Sequence, residues 1–134
     1  MKNGKELQFY NNGAKKSETN YVALYETNYY AERKNGQFVE WFENGKIKAQ
    51  GTYDKDRMVG TWTTYYENGN KESETNYIQN ERPPYNSRKD GDSKTFYSNG
   101  NIKSEGKYKN GYENGLWLFY KETGELDYAE DELS

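Results

Sequence analysis

Cysteine and histidine are both absent from the 134 residues of the chain. The chain therefore has no thiolate nucleophile, no imidazole base, no disulfide and none of the ligands that most structural zinc sites use. Prolines number only two, and hydrophobic residues make up 31% of the chain at a mean hydropathy of −1.42. We therefore expect no cofactor, and a single domain held together by packing and hydrogen bonds alone.

Neither sign of charge dominates, because 19 basic residues face 22 acidic ones for a net charge of −3. This balance gives no electrostatic reason to expect a nucleic acid or an anionic membrane surface as a partner. The chain also lacks an apolar run near the roughly 18–20 residues of a membrane span, and its start has no hydrophobic signal region. We expect a cytoplasmic protein, or an envelope protein if an export signal precedes Met1.

Aromatic residues are abundant, with 15 Tyr, 5 Phe and 3 Trp, which is far too many for a disordered chain of similar polarity. They follow an internal repeat, in which two glycines lie nine residues apart. The pairs are Gly4/Gly13, Gly36/Gly45, Gly60/Gly69, Gly91/Gly100 and Gly115/Gly124. The spacing predicts one repeat domain over residues 1–134, with repeats beginning near 4, 36, 60, 91 and 115.

Each repeat has the pattern of two strands joined by a tight turn, when positions are counted from its first glycine as zero. In the second strand, polar residues such as Lys46 and Lys48 alternate with apolar or small ones such as Ile47 and Ala49. A period of two is typical of a strand with one solvated face. The sequence thus predicts an all-β fold, an elongated open antiparallel meander of about five hairpin repeats in one twisted sheet.

The hairpin turns carry Asn-Gly in four repeats and Thr123-Gly124 in the last. Asn-Gly favours a two-residue type I′ turn, in which position six enters the core, position two lies opposite fifteen and the leading glycine faces a tyrosine at position seventeen. The alternative is a three-residue type I turn with a G1 bulge, which reverses the parity. We favour the type I′ turn.

One column of aromatic residues is left on the wetter face in either register. In the type I′ register this column is position five, opposite Lys16, Lys48, Glu72, Lys103 and Asp127. Rigid apolar area of this kind is suited to binding a partner. The column consists of Phe9, Trp41, Tyr65, Phe96 and Tyr120.

Two insertions, near residues 22–34 and 78–89, interrupt the regular spacing. Aligned on the following glycine, they match Tyr30 with Tyr85 and Arg33 with Arg88, residue types that are enriched at interface hot spots. We consider two interpretations: a pair of protruding arms that bind a partner, or longer hairpins and loops that protect the sheet edge.

The segments Gly-Thr-Trp-Thr-Thr-Tyr-Tyr-Glu-Asn-Gly-Asn-Lys at 60–71 and Gly-Gln-Phe-Val-Glu-Trp-Phe-Glu-Asn-Gly-Lys-Ile-Lys at 36–48 resemble the MORN-variant repeats of bacteria. The resemblance covers the chain apart from the insertions and the last few residues. It implies β-hairpins side by side in an open twisted sheet. Many bacterial members look like YwqK-type antitoxins, so the resemblance implies a non-enzymatic binding role.

Acidic residues recur with the repeat, whereas an active site is normally a single constellation, so we expect no enzyme activity. The leading hypothesis is a protein-binding module, an antitoxin or immunity protein whose partner is a toxin encoded nearby. The alternative is an envelope or surface protein that binds glycan or lipid headgroups. The last ten residues, 125–134, contain five acids and no base, and we favour a solvated cap over the last hairpin edge for them.

Overall fold

A computed structural model describes residues 4–82 and 86–132 of the chain. These residues form ten antiparallel strands in a single sheet, whose order follows the chain from β1 to β10. The strands are β1 (Gly4–Phe9), β2 (Lys15–Glu26), β3 (Tyr29–Trp41), β4 (Ile47–Asp54), β5 (Arg57–Tyr65), β6 (Lys71–Gln79), β7 (Ser87–Phe96), β8 (Ile102–Lys109), β9 (Tyr112–Tyr120) and β10 (Leu126–Glu132). The predicted all-β meander is confirmed.

No segment of the described ranges is a helix with the length and hydrophobicity that crossing a membrane requires.

The sheet is a single layer, so its core is thin. Among the described residues, the buried apolar side chains are Ala31, Trp62 and Trp117, and no side chain is fully enclosed. Small polar residues such as Ser17 and Ser104 are also buried, to about the same extent as Ala31. The fold therefore depends on contacts between adjacent strands and not on a central core.

The strand bodies keep the register that the type I′ interpretation predicts. Each leading glycine faces the repeat tyrosine at position seventeen in the first four hairpins, as Gly36 faces Tyr53 and Gly91 faces Tyr108. In the last hairpin Gly115 faces Glu132 instead. The leading glycines have φ between 70° and 103°, a conformation that glycine adopts without steric cost.

The prediction of type I′ turns at Asn-Gly is wrong. Tyr10 N–H donates to the Ala14 carbonyl at 2.9 Å and Gly13 N–H to the Tyr10 carbonyl at 3.0 Å, which closes a three-residue loop. Gly13 has φ of 87°, but Asn12 is not among the described residues with positive φ. The other four repeats close the same loop, so the turn is type I with a G1 bulge, the alternative interpretation.

A second irregularity cancels the change of parity that this turn causes. The register shifts between Gln8 and Phe9, so that Phe9 lies opposite Lys15 and not Lys16. The corresponding shift occurs in every repeat, and the predicted partners of the position-five column are therefore wrong. The residues opposite the column are Lys15, Ile47, Lys71, Ile102 and Leu126.

Type I′ turns do occur, at the opposite ends of the strands. Lys55 and Asp56 have φ of 51° and 72°, and Asn110 and Gly111 have φ of 51° and 90°. These pairs form the two-residue turns between β4 and β5 and between β8 and β9. Asn110-Gly111 has the composition of this turn but lies outside the glycine repeat from which the hairpins were predicted.

The better buried face of the sheet, called here the tryptophan face, contains two aromatic clusters. In the first, Trp62 packs against Tyr53 at 4.9 Å and Phe38 at 5.8 Å between ring centroids. In the second, Trp117 packs against Tyr108 at 5.1 Å and Phe119 at 6.5 Å. Each indole also lies over a glycine of the preceding hairpin, Gly51 or Gly106.

Burial on this face raises the pKa of Tyr53, Tyr77 and Tyr108 above the ordinary tyrosine value, and for Tyr53 the nearby Asp56 carboxylate adds to the effect. Folded chains thus hold these protons more tightly than unfolded chains do. We expect the free energy of unfolding to be constant with respect to these groups below about pH 10 and to fall as the pH rises from there through the raised pKa values.

Urea unfolding at a series of alkaline pH values, with tyrosinate absorbance recorded in parallel, measures this dependence. Tyr77→Phe removes one of the three phenols and should reduce the slope. A free energy of unfolding that stays flat above about pH 10 would contradict the expectation.

Candidate functional site

The first insertion continues β2 and β3 beyond the regular hairpin and forms an arm, called here the first arm, with its tip at Thr27 and Asn28. Tyr25 and Tyr30 lie opposite each other across the arm, with their rings edge to face at 5.1 Å. Tyr25, Tyr29 and Tyr30 are exposed to 65%, 57% and 59%. Three tyrosines are thus presented to solvent on one short β-ribbon.

Arg33, which lies opposite Val22, links the tip of the first arm to the turn between β4 and β5. Its guanidinium donates to both carboxylate oxygens of Glu26, at 2.9 and 3.0 Å, and to Asp56 in the next turn at 3.3 Å. The hydrogen bonds from Arg33 lower the pKa of the Glu26 carboxyl, and those to Glu26 raise the pKa of Arg33. A bidentate pair of this kind fixes the orientation of both side chains.

The backbone also ties the first arm to the β4–β5 turn. Asp56 N–H donates to the Lys34 carbonyl at 2.8 Å, and Lys34 N–H donates to the Asp56 carboxylate at 2.7 Å. The ammonium group of Lys34 lies 5.0 Å from the centre of the Tyr53 ring. Arg33 was predicted to bind a partner, but its guanidinium is bonded to Glu26 and Asp56 of the same chain.

The second insertion adds only a short extension to β6 and β7. The β8–β9 turn bonds to this extension in the same way as the β4–β5 turn bonds to the first arm. Gly111 N–H donates to the Lys89 carbonyl at 2.8 Å, and the Lys89 ammonium group lies 5.0 Å from the centre of the Tyr108 ring. Arg88 donates to the Asn110 carbonyl at 3.4 Å. Tyr85, the predicted counterpart of Tyr30, lies outside the described residues.

The predicted aromatic column at position five is largely covered. Phe9 is 55% exposed, but the other four members are half-buried. Gln50 donates to the Tyr65 hydroxyl at 2.9 Å, and the Tyr120 hydroxyl donates to Glu105 at 2.6 Å, which raises the pKa of Tyr120. Both partners belong to the preceding hairpin, so these tyrosines help to join adjacent repeats.

A ladder of side-chain hydrogen bonds, which was not predicted from the sequence, runs along the Asn-Gly turns. The Asn oxygen at position eight accepts from the backbone N–H two residues on, at 2.9 Å in each of the four Asn-Gly repeats. From the second to the fourth repeat, its amide nitrogen donates to a carbonyl of the next turn. These bonds are Asn44 to Glu67, Asn68 to Ser98 and Asn99 to Glu122, at 2.8–3.1 Å.

Tyrosine hydroxyls at position six extend the ladder. Tyr10 donates to the Trp41 carbonyl at 2.6 Å, Tyr66 to that of Phe96 at 2.6 Å, and Tyr97 to that of Tyr120 at 2.7 Å. The sequence did contain a signal for the ladder, which is the asparagine at position eight in four repeats. A type I′ turn would equally accept another residue that tolerates positive φ at this position. These bonds explain asparagine by its side chain and not by its backbone conformation.

Tyr97→Phe should lower the free energy of unfolding by about 1 kcal/mol, because it removes one half-buried hydrogen bond and leaves the ring in place. Phe42 occupies the same position in the second repeat, so Phe42→Tyr is the reciprocal control and should not destabilise the chain. Urea unfolding of both variants tests the assignment. Equal stabilities for Tyr97→Phe and the native chain would contradict it.

An open groove of about 380 Å³ lies on the face opposite the tryptophan face, between the last two hairpins. Leu116 and Leu118 line it together with the side chains of Asp92, Lys94 and Lys107. The equivalent groove between the second and third hairpins, of about 250 Å³, has Thr61 and Thr63 in place of the two leucines. Neither groove was predicted from the sequence.

The sequence profile of the MORN repeat variant matches residues 2–23, 34–55, 58–79 and 89–110. These four segments include most of the chain, and the meander of hairpins is the architecture expected of such repeats. MORN repeats are generally binding modules, so the chain is a repeat-based binding module. The chain belongs to the MORN repeat variant family.

No curated protein matches the chain. Among solved structures, it is similar to a porin-like protein from Bacteroides uniformis ATCC 8492, with 13% sequence identity and a TM-score of 0.33. The alignment covers 87% of this chain and 53% of that one, so the chain spans about half the length of the structure. At this TM-score the likeness carries no structural or functional argument.

Proposed function

We propose that the chain is a non-enzymatic protein-binding module of the antitoxin or immunity kind, which neutralises a toxin encoded nearby. The observation that carries the proposal is the exposed tyrosine tip of the first arm, formed by Tyr25, Tyr29 and Tyr30. Tyrosine gives a large amphipathic contact area at a low cost in side-chain entropy. MORN repeats are generally binding modules, which supports the same class of function.

The anchoring of the first arm favours binding through this tip. Arg33 bonds to Glu26 beside the tip and to Asp56, and the backbone of Lys34 bonds to Asp56, so the arm is held in place before any partner binds. A preorganised binding surface loses less conformational entropy on association than a mobile loop does. The arm is thus a better candidate than the position-five column, whose members are mostly half-buried.

Co-expression of the chain with the product of the adjacent gene tests the proposal. We expect a stable complex and rescue of growth when that product is toxic. If both proteins are soluble but no complex forms and growth is not rescued, the result would contradict an antitoxin role. Binding of glycan or lipid headgroups in place of a protein would favour the alternative function.

The double variant Tyr25→Ser/Tyr30→Ser should weaken the complex by about 2 kcal/mol or more, since it removes two exposed aromatic contacts. The free energy of unfolding of the double variant should change little, because neither side chain is buried. Tyr112→Ser is the matched control: Tyr112 is 72% exposed but lies at the β8–β9 turn, away from the first arm. Affinity measured by calorimetry should distinguish the two, and equal losses would refute a role for the tip.

A further inference from the structure

The hydrogen bonds of the ladder that join two hairpins all run in one direction, from one hairpin to the next along the chain. Tyrosine at position six donates to the carbonyl at position five of the following repeat, and asparagine at position eight to the carbonyl at position seven. Position ten contributes two more amide donors, Asn70 to Ser98 and Asn101 to Glu122, each at 2.8–2.9 Å. The ladder therefore gives the sheet a donor end and an acceptor end.

The donor end is closed. In the last hairpin, Lys121, Thr123 and Glu125 replace the tyrosine and the two asparagines that would donate onwards. The edge strand β10 also contains four acidic residues, which disfavour pairing with another strand. This arrangement agrees with the expectation of a solvated cap over the last hairpin edge.

The acceptor end has no such block. Among the described residues β1 pairs only with β2, so it forms one edge of the sheet. The carbonyls of Phe9 and Asn11 are the equivalents of those that receive donors in the later repeats. Leu7 and Phe9 on this strand are exposed to 39% and 55%.

We infer that the β1 edge is a docking edge for a strand of another protein, which adds antiparallel to β1 and supplies side-chain donors to the Phe9 and Asn11 carbonyls. The pairing is that of the inter-repeat interfaces, in which the end of one hairpin pairs with the start of the next, as Ser17 with Glu40 and Glu18 with Val39. The inference rests on the proposed protein-binding function and names a second surface for it.

A second copy of this chain does not fit the edge. Position fifteen lies opposite position two across the inter-repeat interface, as Thr19 lies opposite Phe38. Head-to-tail pairing of two copies would therefore place Glu130 opposite Glu6, two like charges, and Lys121 would supply no hydroxyl. The occupant is a strand with a small or uncharged residue at that place, preceded in its chain by tyrosine and asparagine donors.

Amide hydrogen exchange of the native chain tests the inference directly. The probe is a synthetic peptide of residues 91–109, which carries the donors Tyr97, Asn99 and Asn101. At a peptide concentration of about ten times Kd, the β1 amides that are not bonded to β2 should exchange about tenfold more slowly. The matched control, a peptide of residues 115–132, lacks the donors and should have no effect.

Two results would overturn the inference: unchanged exchange in β1 with the donor peptide, or equal protection by both peptides. The variant Tyr25→Ser/Tyr30→Ser should respond to the peptide like the native chain, so failure of the edge and failure of the first arm can be distinguished.

A repaired chain supplies an independent measurement. Lys121→Tyr, Thr123→Asn, Glu125→Asn and Glu130→Thr restore to the last hairpin the residues of the third or fourth repeat. We expect this variant to form concentration-dependent head-to-tail oligomers in sedimentation, while the native chain stays monomeric. The inference would be contradicted if the quadruple variant folds but stays monomeric. It would also be contradicted if the native chain oligomerises as strongly as the variant.

Discussion

Gly106→Ala is expected to lower the free energy of unfolding by about 3 kcal/mol or more. A methyl group built on Gly106 would overlap the Trp117 indole, with Cγ only 2.6 Å away. The backbone of β8 lies behind the methyl group, so the ring must leave its position. That movement would break the contact with Tyr108 and the hydrogen bond from Trp117 Nε1 to the Lys107 carbonyl at 3.1 Å.

A double-mutant cycle isolates the steric cause. In a Trp117→Ala background the added methyl group meets no ring, so Gly106→Ala should cost little, and alanine should even be slightly favoured over glycine in a strand. The third and fourth hairpins provide a natural precedent, because Thr75 and Ser93 lie opposite each other where the other interface has Gly106 and Trp117. Equal costs in the two backgrounds would show that the overlap is not the cause.

Trp117→Ala is expected to cost about 3–5 kcal/mol, and the loss should be confined to one end of the sheet. Trp117 is one of the best buried residues and joins Tyr108 to Phe119, which stacks in turn on Tyr128 at 4.6 Å. The other cluster, around Trp62, shares no ring contact with it among the described residues. Strands of a linear array contact only their neighbours, so each cluster stabilises its own part.

Native-state hydrogen exchange distinguishes local from global loss. In Trp117→Ala, protection should fall across β8, β9 and β10 and persist in β3, β4 and β5. Trp62→Ala is the matched control and should give the opposite pattern. A uniform loss of protection over all described strands, in either variant, would mean that the sheet unfolds as one cooperative unit.

The hairpin architecture could be predicted because its signals are local and repeated. Glycine spacing located the hairpins, and the register of the type I′ interpretation placed Tyr53 and Tyr108 opposite Gly36 and Gly91, which holds because the bulge beside each turn restores that register. The turn type could not be resolved, because Asn-Gly suits both turns. Asn12 accepts a hydrogen bond from Ala14 N–H, whereas type I′ would use its tolerance of positive φ. The bulge beside each turn, which restores the strand register, has no recognisable signal in the sequence.

The candidate site was predictable only in part. Tyr30 and Arg33 stood out by their match to the second insertion, but nothing in the sequence indicated that Glu26 and Asp56 bind Arg33 from two different turns. Tyr25 and Tyr29 were missed because the repeat pattern ends at Tyr21. The side chains that an insertion exposes depend on how its two strands pair. The repeat pattern does not extend into the insertion, so it could not predict that pairing.

The interfaces between hairpins alternate between two kinds along the sheet. The β2–β3 and β6–β7 interfaces carry insertions, whereas the β4–β5 and β8–β9 interfaces have an indole over a glycine. Gly51 and Trp62 recur as Gly106 and Trp117, each 55 residues later. Two hairpins, not one, are thus the unit that gene duplication could copy whole. A cassette of that length, added in frame, would bring its own insertion, turn and indole contact, so the array could lengthen without redesign of its neighbours.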